Sequence, residues 1–371
     1  MYKKNKILVC LIIFIILSNV SLSATEITAK SAIVIDMNSQ RILYAKNENE
    51  KLPFASTTKI MTAIVAIEMC DLQEVVKIDD RSIGTEGSSI YLQKGEELTL
   101  SDLLYGLMLH SGNDAAEAIA YHISGSIENF TALMNYKAKL IGAHNTNFMN
   151  PHGLPNELHY TTAADLAHIC IYAMQNDIFR QIVATKNMTI ITNGTGISRN
   201  LVNKNKLLYS YEGANGIKTG YTDLAGRCLC GAAEQNGIQL ISVVLNSEDI
   251  YGDTQKLFDY YFENYSEHTF MKKGEYVLSI PIENSYKKIY RVYLPEDISA
   301  AVKEEELQTV QIKYNFIKQI DAPMQKGDKI GEIEIIFDDN SNIIVDIMLQ
   351  KDIKYKNSIF DNIRNYLRSI K

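Results

Sequence analysis

Between residues 60 and 70 every position except Thr62 and Glu68 is apolar, which predicts a helix buried on nearly all sides rather than one with a solvated face. Helix-like stretches of this kind dominate from residue 56 to about 183. On either side of them the period shortens. Ala32-Ile33-Val34-Ile35 and Arg41-Ile42-Leu43-Tyr44 flank the stretch from Asp36 to Gln40 and predict a hairpin over 31–46. Runs 227–233 and 239–246 are joined across Gln235-Asn236-Gly237, and Asn-Gly between apolar runs is a strong hairpin signal. The pattern therefore predicts an α/β (α+β) domain over 25–265, with strands from both ends of the segment in one sheet and a helical block inserted between them. After about residue 268 short alternating runs at 276–280, 289–293, 310–314, 331–337 and 343–349 predict a small all-β domain ending near 350.

The two ends of the chain carry different patterns. Lys3, Lys4 and Lys6 precede eleven apolar residues at 7–17 and a stretch ending Ser21-Leu22-Ser23, the order of a secretory signal, which places the leader at 1–23 and the protein on the outer face of the cytoplasmic membrane. Cys10 lies inside the apolar stretch, which argues against a lipoprotein anchor. Over 351–371, six Lys or Arg accompany two Asp, and Ile359, Phe360, Ile363, Tyr366, Leu367 and Ile370 fall on an arc of about 120°. This predicts a basic amphipathic helix on the membrane surface, with docking against the β domain as the other reading.

Removing the leader takes the formal charge from -7 to -10 through its three lysines. An acidic domain has little affinity for nucleic acid, and none is expected as a partner. The cysteines left, Cys70, Cys170, Cys228 and Cys230, read as free thiols, and the scattered histidines show no zinc spacing, so neither a metal nor a cofactor is expected.

The candidate chemistry starts at Ser56-Thr57-Thr58-Lys59. A spacing of three puts the hydroxyl and the amine on one face at the start of the buried helix, where the backbone N–H groups and the dipole favour an oxyanion. Ser111-Gly112-Asn113 follows 55 residues downstream and Lys218-Thr219-Gly220 107 beyond that. Each triplet alone is weak, the first an N-cap, the second a turn, the third a strand end. In this order they form the set shared by penicillin-binding proteins and class A β-lactamases. With the segments 53–63, 110–116, 150–154 and 160–167, the chain closely resembles the D-alanyl-D-alanine carboxypeptidases of the low-molecular-mass penicillin-binding proteins, the S11 serine peptidases. One departure is Asn215-Gly216 in place of the usual Asp-Gly, read as a turn without the charge.

The resemblance implies the penicillin-recognising, serine β-lactamase-like fold followed by a small β domain. It also implies a serine-type carboxypeptidase that removes the terminal D-alanine from peptidoglycan stem peptides and is inhibited by β-lactams. Ser56 would be the nucleophile, Lys59 its base, Ser111 the proton relay to the leaving amine and Asn113 the ligand of the substrate amide and of Lys59. Lys218 and Thr219 would take the terminal carboxylate. The backbone N–H groups of Ser56 and Tyr221 would form the oxyanion hole, with Gly220 allowing close approach. A lysine base needs its pKa, ordinarily about 10.4, depressed by burial and a neighbouring cation, which Lys218 supplies. His152 reads as tying down a loop, and Arg199 and Arg227 as carboxylate ligands or solvated side chains. A β-lactamase-like hydrolase and a penicillin-binding sensor or scaffold without turnover are the competing readings. The first would need an acidic residue to hold its water between Thr146 and Leu154, and that stretch has none.

Overall fold

The computed structural model describes residues 26–193, 196–339 and 341–356. The leader and the apolar arc that begins at Ile359 lie outside them. Strands β1 (Ser31–Asp36) and β2 (Ile42–Lys46) form the predicted first hairpin. Six helices follow: α1 (Lys59–Met69), α2 (Leu100–Leu109), α3 (Asn113–Ser124), α4 (Ile127–Leu140), α5 (Ala163–Met174) and α6 (Asp177–Ala184). Two small hairpins, β3 (Val75–Lys77) with β4 (Glu97–Thr99) and β5 (Asn187–Ile191) with β6 (Ser198–Val202), punctuate the block. Then come α7 (Leu207–Ser210), β7 (Ala214–Thr222), β8 (Gly226–Gln235), β9 (Ile238–Ser247) and α8 (Ile250–Asn264).

The five long strands make one antiparallel sheet in the order β2-β1-β9-β8-β7, so strands from both ends of the domain meet at its centre. All six residues of β1 are buried because both faces of the sheet are covered. Ile33 and Ile35 point into the helical block with Ile241 and Val243, whereas Ala32 and Val34 face α8 with Leu240, Val244 and Phe258. Within the block α1 is wrapped by its neighbours, and its residues from Lys59 to Ala66 are all buried. Asn215 and Gly216 lie inside β7 rather than in a turn. The Asn215 amide pairs with Gln239 across the sheet (Nδ2 to Oε1, 2.7 Å), and a Cβ on Gly216 would stand 2.9 Å from Val183 of α6.

The β domain begins at once after α8 with β10 (Ser266–Met271). β11 (Tyr276–Glu283), β12 (Ile289–Tyr293), β13 (Ile298–Val302), β14 (Gln311–Phe316), β15 (Ile320–Asp321), β16 (Lys329–Ile336) and β17 (Asn342–Met348) follow in three small sheets. The alternating runs correspond to β11, β12, β14, β16 and β17. The end of this domain differs from the expected one. Residues 351–356 are not helical, and Ile353, buried, pairs with Met324 through reciprocal backbone hydrogen bonds of 2.9 and 3.1 Å. The domain thus runs past 350, and the predicted helix at 351–371 can start only outside the described residues. No helix among the described residues is long and apolar enough to cross a membrane.

Arg41 joins the two domains. Its guanidinium, 1% exposed, donates to both oxygens of Glu306 (2.7 and 2.9 Å) and to the Ala301 carbonyl (3.1 Å), and lies 3.5 Å from the centre of the Phe337 ring. Asp36 accepts from the Ala301 N–H at 2.9 Å.

Candidate active site

Ser56 sits in a single 3-10 turn, Ala55–Thr58, that leads directly into α1. The turn is held from two sides. Thr58 Oγ1 donates to the Ala55 carbonyl at 2.8 Å and meets His159 Nε2 at 2.8 Å, while the Met149 N–H donates to His159 Nδ1. With Nδ1 accepting, Nε2 carries the proton and donates to Thr58. The ring is stacked on Phe54 at 4.7 Å, and burial pushes its pKa down to about 3, so it stays neutral as this bonding requires. Gly153, at φ 92°, packs on the same turn: a Cβ there would lie 1.9 Å from the Ala55 oxygen. On the other side β7 is the edge strand, and a Cβ on Gly220 would stand 2.9 Å from the Ser56 nitrogen.

Lys59, wholly buried, makes three contacts: Ser56 Oγ at 2.9 Å, Asn113 Oδ1 at 2.6 Å and the His152 carbonyl at 2.7 Å. Burial first, then Lys218 and Lys204, push its pKa well below the ordinary lysine value. A neutral amine has two N–H donors and one lone pair. The two carbonyl oxygens can only accept, so they take the donors and leave the lone pair for the Ser56 hydroxyl. Serine and base are thereby aligned before any substrate arrives.

Ser111 occupies the connection between α2 and α3 at φ 64°, a left-handed conformation that costs a non-glycine residue energy and persists where its surroundings impose it. The Asn113 N–H donates to the Ser88 carbonyl at 2.7 Å, and its side-chain nitrogen to the Glu86 carbonyl at 2.5 Å. Both ends of that amide are therefore engaged, one with Lys59 and one with Glu86. In this state Asn113 orients the lysine, and one of its two side-chain N–H donors remains for a substrate. Asp114, buried at the start of α3, accepts from Ser89 Oγ (2.6 Å) and from the N–H groups of Ile90 and Leu92 (3.0 and 3.1 Å), pinning the 88–92 loop beside the site.

Lys218 is buried in the middle of β7, and burial with the nearby Lys204 pushes its pKa down to about 7. Ser56, Ser111, Thr219, Gly220 and Tyr221 line one cleft of about 590 Å³, together with Lys204, Lys206, Arg227, Glu248 and Asp249. Lys204 is a site residue that the motifs do not mark. It lies in the segment after β6, its backbone N–H donating to the Leu109 carbonyl, and its amine contacts Ser88 Oγ at 3.3 Å. No spacing pattern connects it to Ser56. His152 does tie down a loop, its ring accepting from Leu154 N–H at 3.2 Å and lying 3.2 Å from Glu117. Arg199 donates at 2.8 Å to both oxygens of buried Glu96 and at 2.6 and 2.7 Å to the Ile90 and Tyr91 carbonyls. Arg227 stands in the cleft.

Residues 18–249 match the family model of the S11 peptidases, D-alanyl-D-alanine carboxypeptidase, and residues 265–355 that of the C-terminal domain of penicillin-binding protein 5. The chain belongs to the S11 D-alanyl-D-alanine carboxypeptidase family. The carboxypeptidase is 34% identical over 314 residues to D-alanyl-D-alanine carboxypeptidase DacF of Bacillus subtilis, a match covering 82% of this chain and 80% of that one. Among solved structures, penicillin-binding protein 5 from Haemophilus influenzae superposes with a TM-score of 0.75 at 28% identity, covering 89% of this chain and 98% of the other. A variant of the Streptomyces K15 DD-transpeptidase gives a TM-score of 0.62 at 35% identity over 64% of this chain and 99% of its own. The penicillin-binding-protein fold with its appended β domain is thus that of the carboxypeptidase, and the family match favours the peptidase reading over a β-lactamase or a non-catalytic sensor.

Proposed function

We propose that the enzyme removes the terminal D-alanine from peptidoglycan stem pentapeptides through an ester on Ser56. The observation that carries this is the contact of Lys59 with Ser56, its two N–H donors already committed to carbonyls. Lys59 takes the hydroxyl proton as Ser56 Oγ attacks the carbonyl carbon of the penultimate D-alanine. The oxyanion rests on the N–H groups of Ser56 and Tyr221. The C–N bond breaks as the proton returns through Ser111 to the leaving amine, and water then hydrolyses the ester. Lys218 and Thr219 receive the terminal carboxylate, with Lys204 and Arg227 adding positive charge to the cleft. Burial lowers the Lys218 pKa to about 7, and an arriving carboxylate favours its charged form.

β-Lactams fit the same scheme as acylating inhibitors. Benzylpenicillin should label Ser56, and a pentapeptide ending in D-Ala-D-Ala should lose one alanine by mass spectrometry, both activities vanishing in Ser56→Ala. Peptide mapping that places the adduct on Ser111, or a pentapeptide left intact, would refute the assignment. A stem peptide cut within a cross-link instead would indicate an endopeptidase.

The same proposal sets the enzyme outside the cell, at the outer face of the cytoplasmic membrane, in wall synthesis and cell shape. What supports it is the order of charges and apolar residues over 1–23 and the amphipathic arc from Ile359 to Ile370. Deleting 357–371 should leave hydrolysis of a soluble peptide nearly unchanged and abolish sedimentation with anionic vesicles. Intact chain that stays in the supernatant at low salt would remove the membrane from the proposal.

A further inference from the structure

At the end of α1 away from Ser56, Cys70, Glu74 and His122 bring a sulfur, an oxygen and a nitrogen within 4.8 Å of one another. The three come from separate elements. Cys70 caps the C-terminus of α1, Glu74 leads into β3, and His122 lies in the last turn of α3. His122 Nε2 and Glu74 Oε1 are 3.2 Å apart, and ligands bound at about 2.0–2.1 Å and a tetrahedral angle would be about 3.3 Å apart. Cys70 and His122 are half-buried and Glu74 is exposed, so an ion can enter from solvent. Among the described residues the ion-pair partner of Glu74 is His122, and no lysine or arginine competes for it.

We propose that Cys70, Glu74 and His122 form a site for Zn2+, with a water as fourth ligand. A mixed sulfur, nitrogen and oxygen set suits this borderline-soft ion and is a poor match for Mg2+ or Ca2+, which take oxygen. On binding, the Cys70 thiol releases its proton to solvent and Zn–S, Zn–N and Zn–O bonds replace the direct approach of His122 to Glu74. The placement gives the site a structural task. α1 and α3 meet at their N-terminal ends through Lys59 and Asn113, and the ion would tie the same two helices together where α1 ends, an eleven-residue helix or about 16 Å away. It would act on the geometry of the base without touching substrate.

Titration of the purified full-length chain, freed of metal, with Zn2+ against a chromophoric chelator should show one equivalent bound, and Zn2+ should raise the thermal midpoint. Co2+ should give a thiolate-to-metal charge-transfer band. Cys70→Ser should lose that band and, like His122→Ala, weaken Zn2+ binding by more than about 100-fold, beyond what loss of a mere supporting group costs. Glu74→Gln, at an exposed position that cannot endanger the fold, should weaken it in the same direction. Circular dichroism distinguishes lost binding from lost fold. Less than one equivalent bound by the unaltered chain, no charge-transfer band, or unchanged binding in folded Cys70→Ser and His122→Ala would overturn the site.

Discussion

Lys59 is the residue on which the chemistry turns, and its environment makes two opposing demands. Burial and the neighbouring cations push it towards the neutral form that a base needs, while Asn113 and the His152 carbonyl hold it with hydrogen bonds that a replacement would forfeit. Lys59→Met should therefore lower acylation by benzylpenicillin by about 10²–10⁴-fold or more. It should also leave two buried carbonyls unpaired at about 1–3 kcal/mol each, against the relief of removing a desolvated amine. The pH dependence has a definite sign. A folded-state pKa below the unfolded value of about 10.4 means that the folded form binds fewer protons, so the lysine lowers stability increasingly as pH falls from about 10 and reaches a constant penalty below its folded pKa. Denaturant titrations at several pH values should find the variant gaining on the unaltered enzyme as pH is lowered through that window. A gap that does not change with pH would mean a lysine charged in the folded state. At this scale the sequence makes Ser56, Lys59, Ser111 and Lys218 legible, because fixed spacings mark them. It is silent on Lys204, His159 and Asp114, which act through loops brought together only by the fold.

The turn carrying Ser56 is positioned by three elements at once: the 148–154 loop, the edge strand β7 and α1 itself. Gly153 is where the fit is tightest, since φ 92° and a 1.9 Å approach to the Ala55 oxygen both exclude a side chain. Gly153→Ala should cost at least about 2 kcal/mol from backbone strain and overpacking and slow acylation of Ser56 more than tenfold by displacing the turn. Thermal melts and stopped-flow labelling would check both. Wild-type rates in a destabilised variant would show that the loop supports the fold and not the nucleophile. Elements were legible where burial wrote a period into them, as in α1, β1 and β9. β10 was not, because Ser266-Glu267-His268 carry no apolar period and its partner β13 lies some thirty residues on. Asn215-Gly216 misled in the opposite sense. A pair that usually signals a turn is used in β7 because only glycine lets the strand pack against Val183.

For the molecule as a whole, Arg41 makes the two domains one body. Arg41→Ala strands Glu306 in a buried interface, with an expected cost of about 3–5 kcal/mol, and should split one calorimetric transition into two while leaving the rate of Ser56 acylation unchanged. A single transition at the original temperature would show that the remaining contacts suffice. Neither the ion pair nor the continuation of the β domain to Ile353 was legible, since an arginine at the foot of a strand and an isolated isoleucine carry no pattern. The order β2-β1-β9-β8-β7 has a further consequence, in time rather than space. β1 is complete at Asp36, but its inner neighbour, β9, ends only at Ser247, so closing the centre of the sheet means closing a loop of about two hundred residues. At synthesis rates of about 5–20 residues per second the nascent chain stays open for about 10–40 s, long enough to be threaded through a narrow channel before it folds. A chain stopped at residue 237 already contains Ser56, Lys59, Ser111 and Lys218 and still lacks the strand that brings β1 and β8 into one sheet.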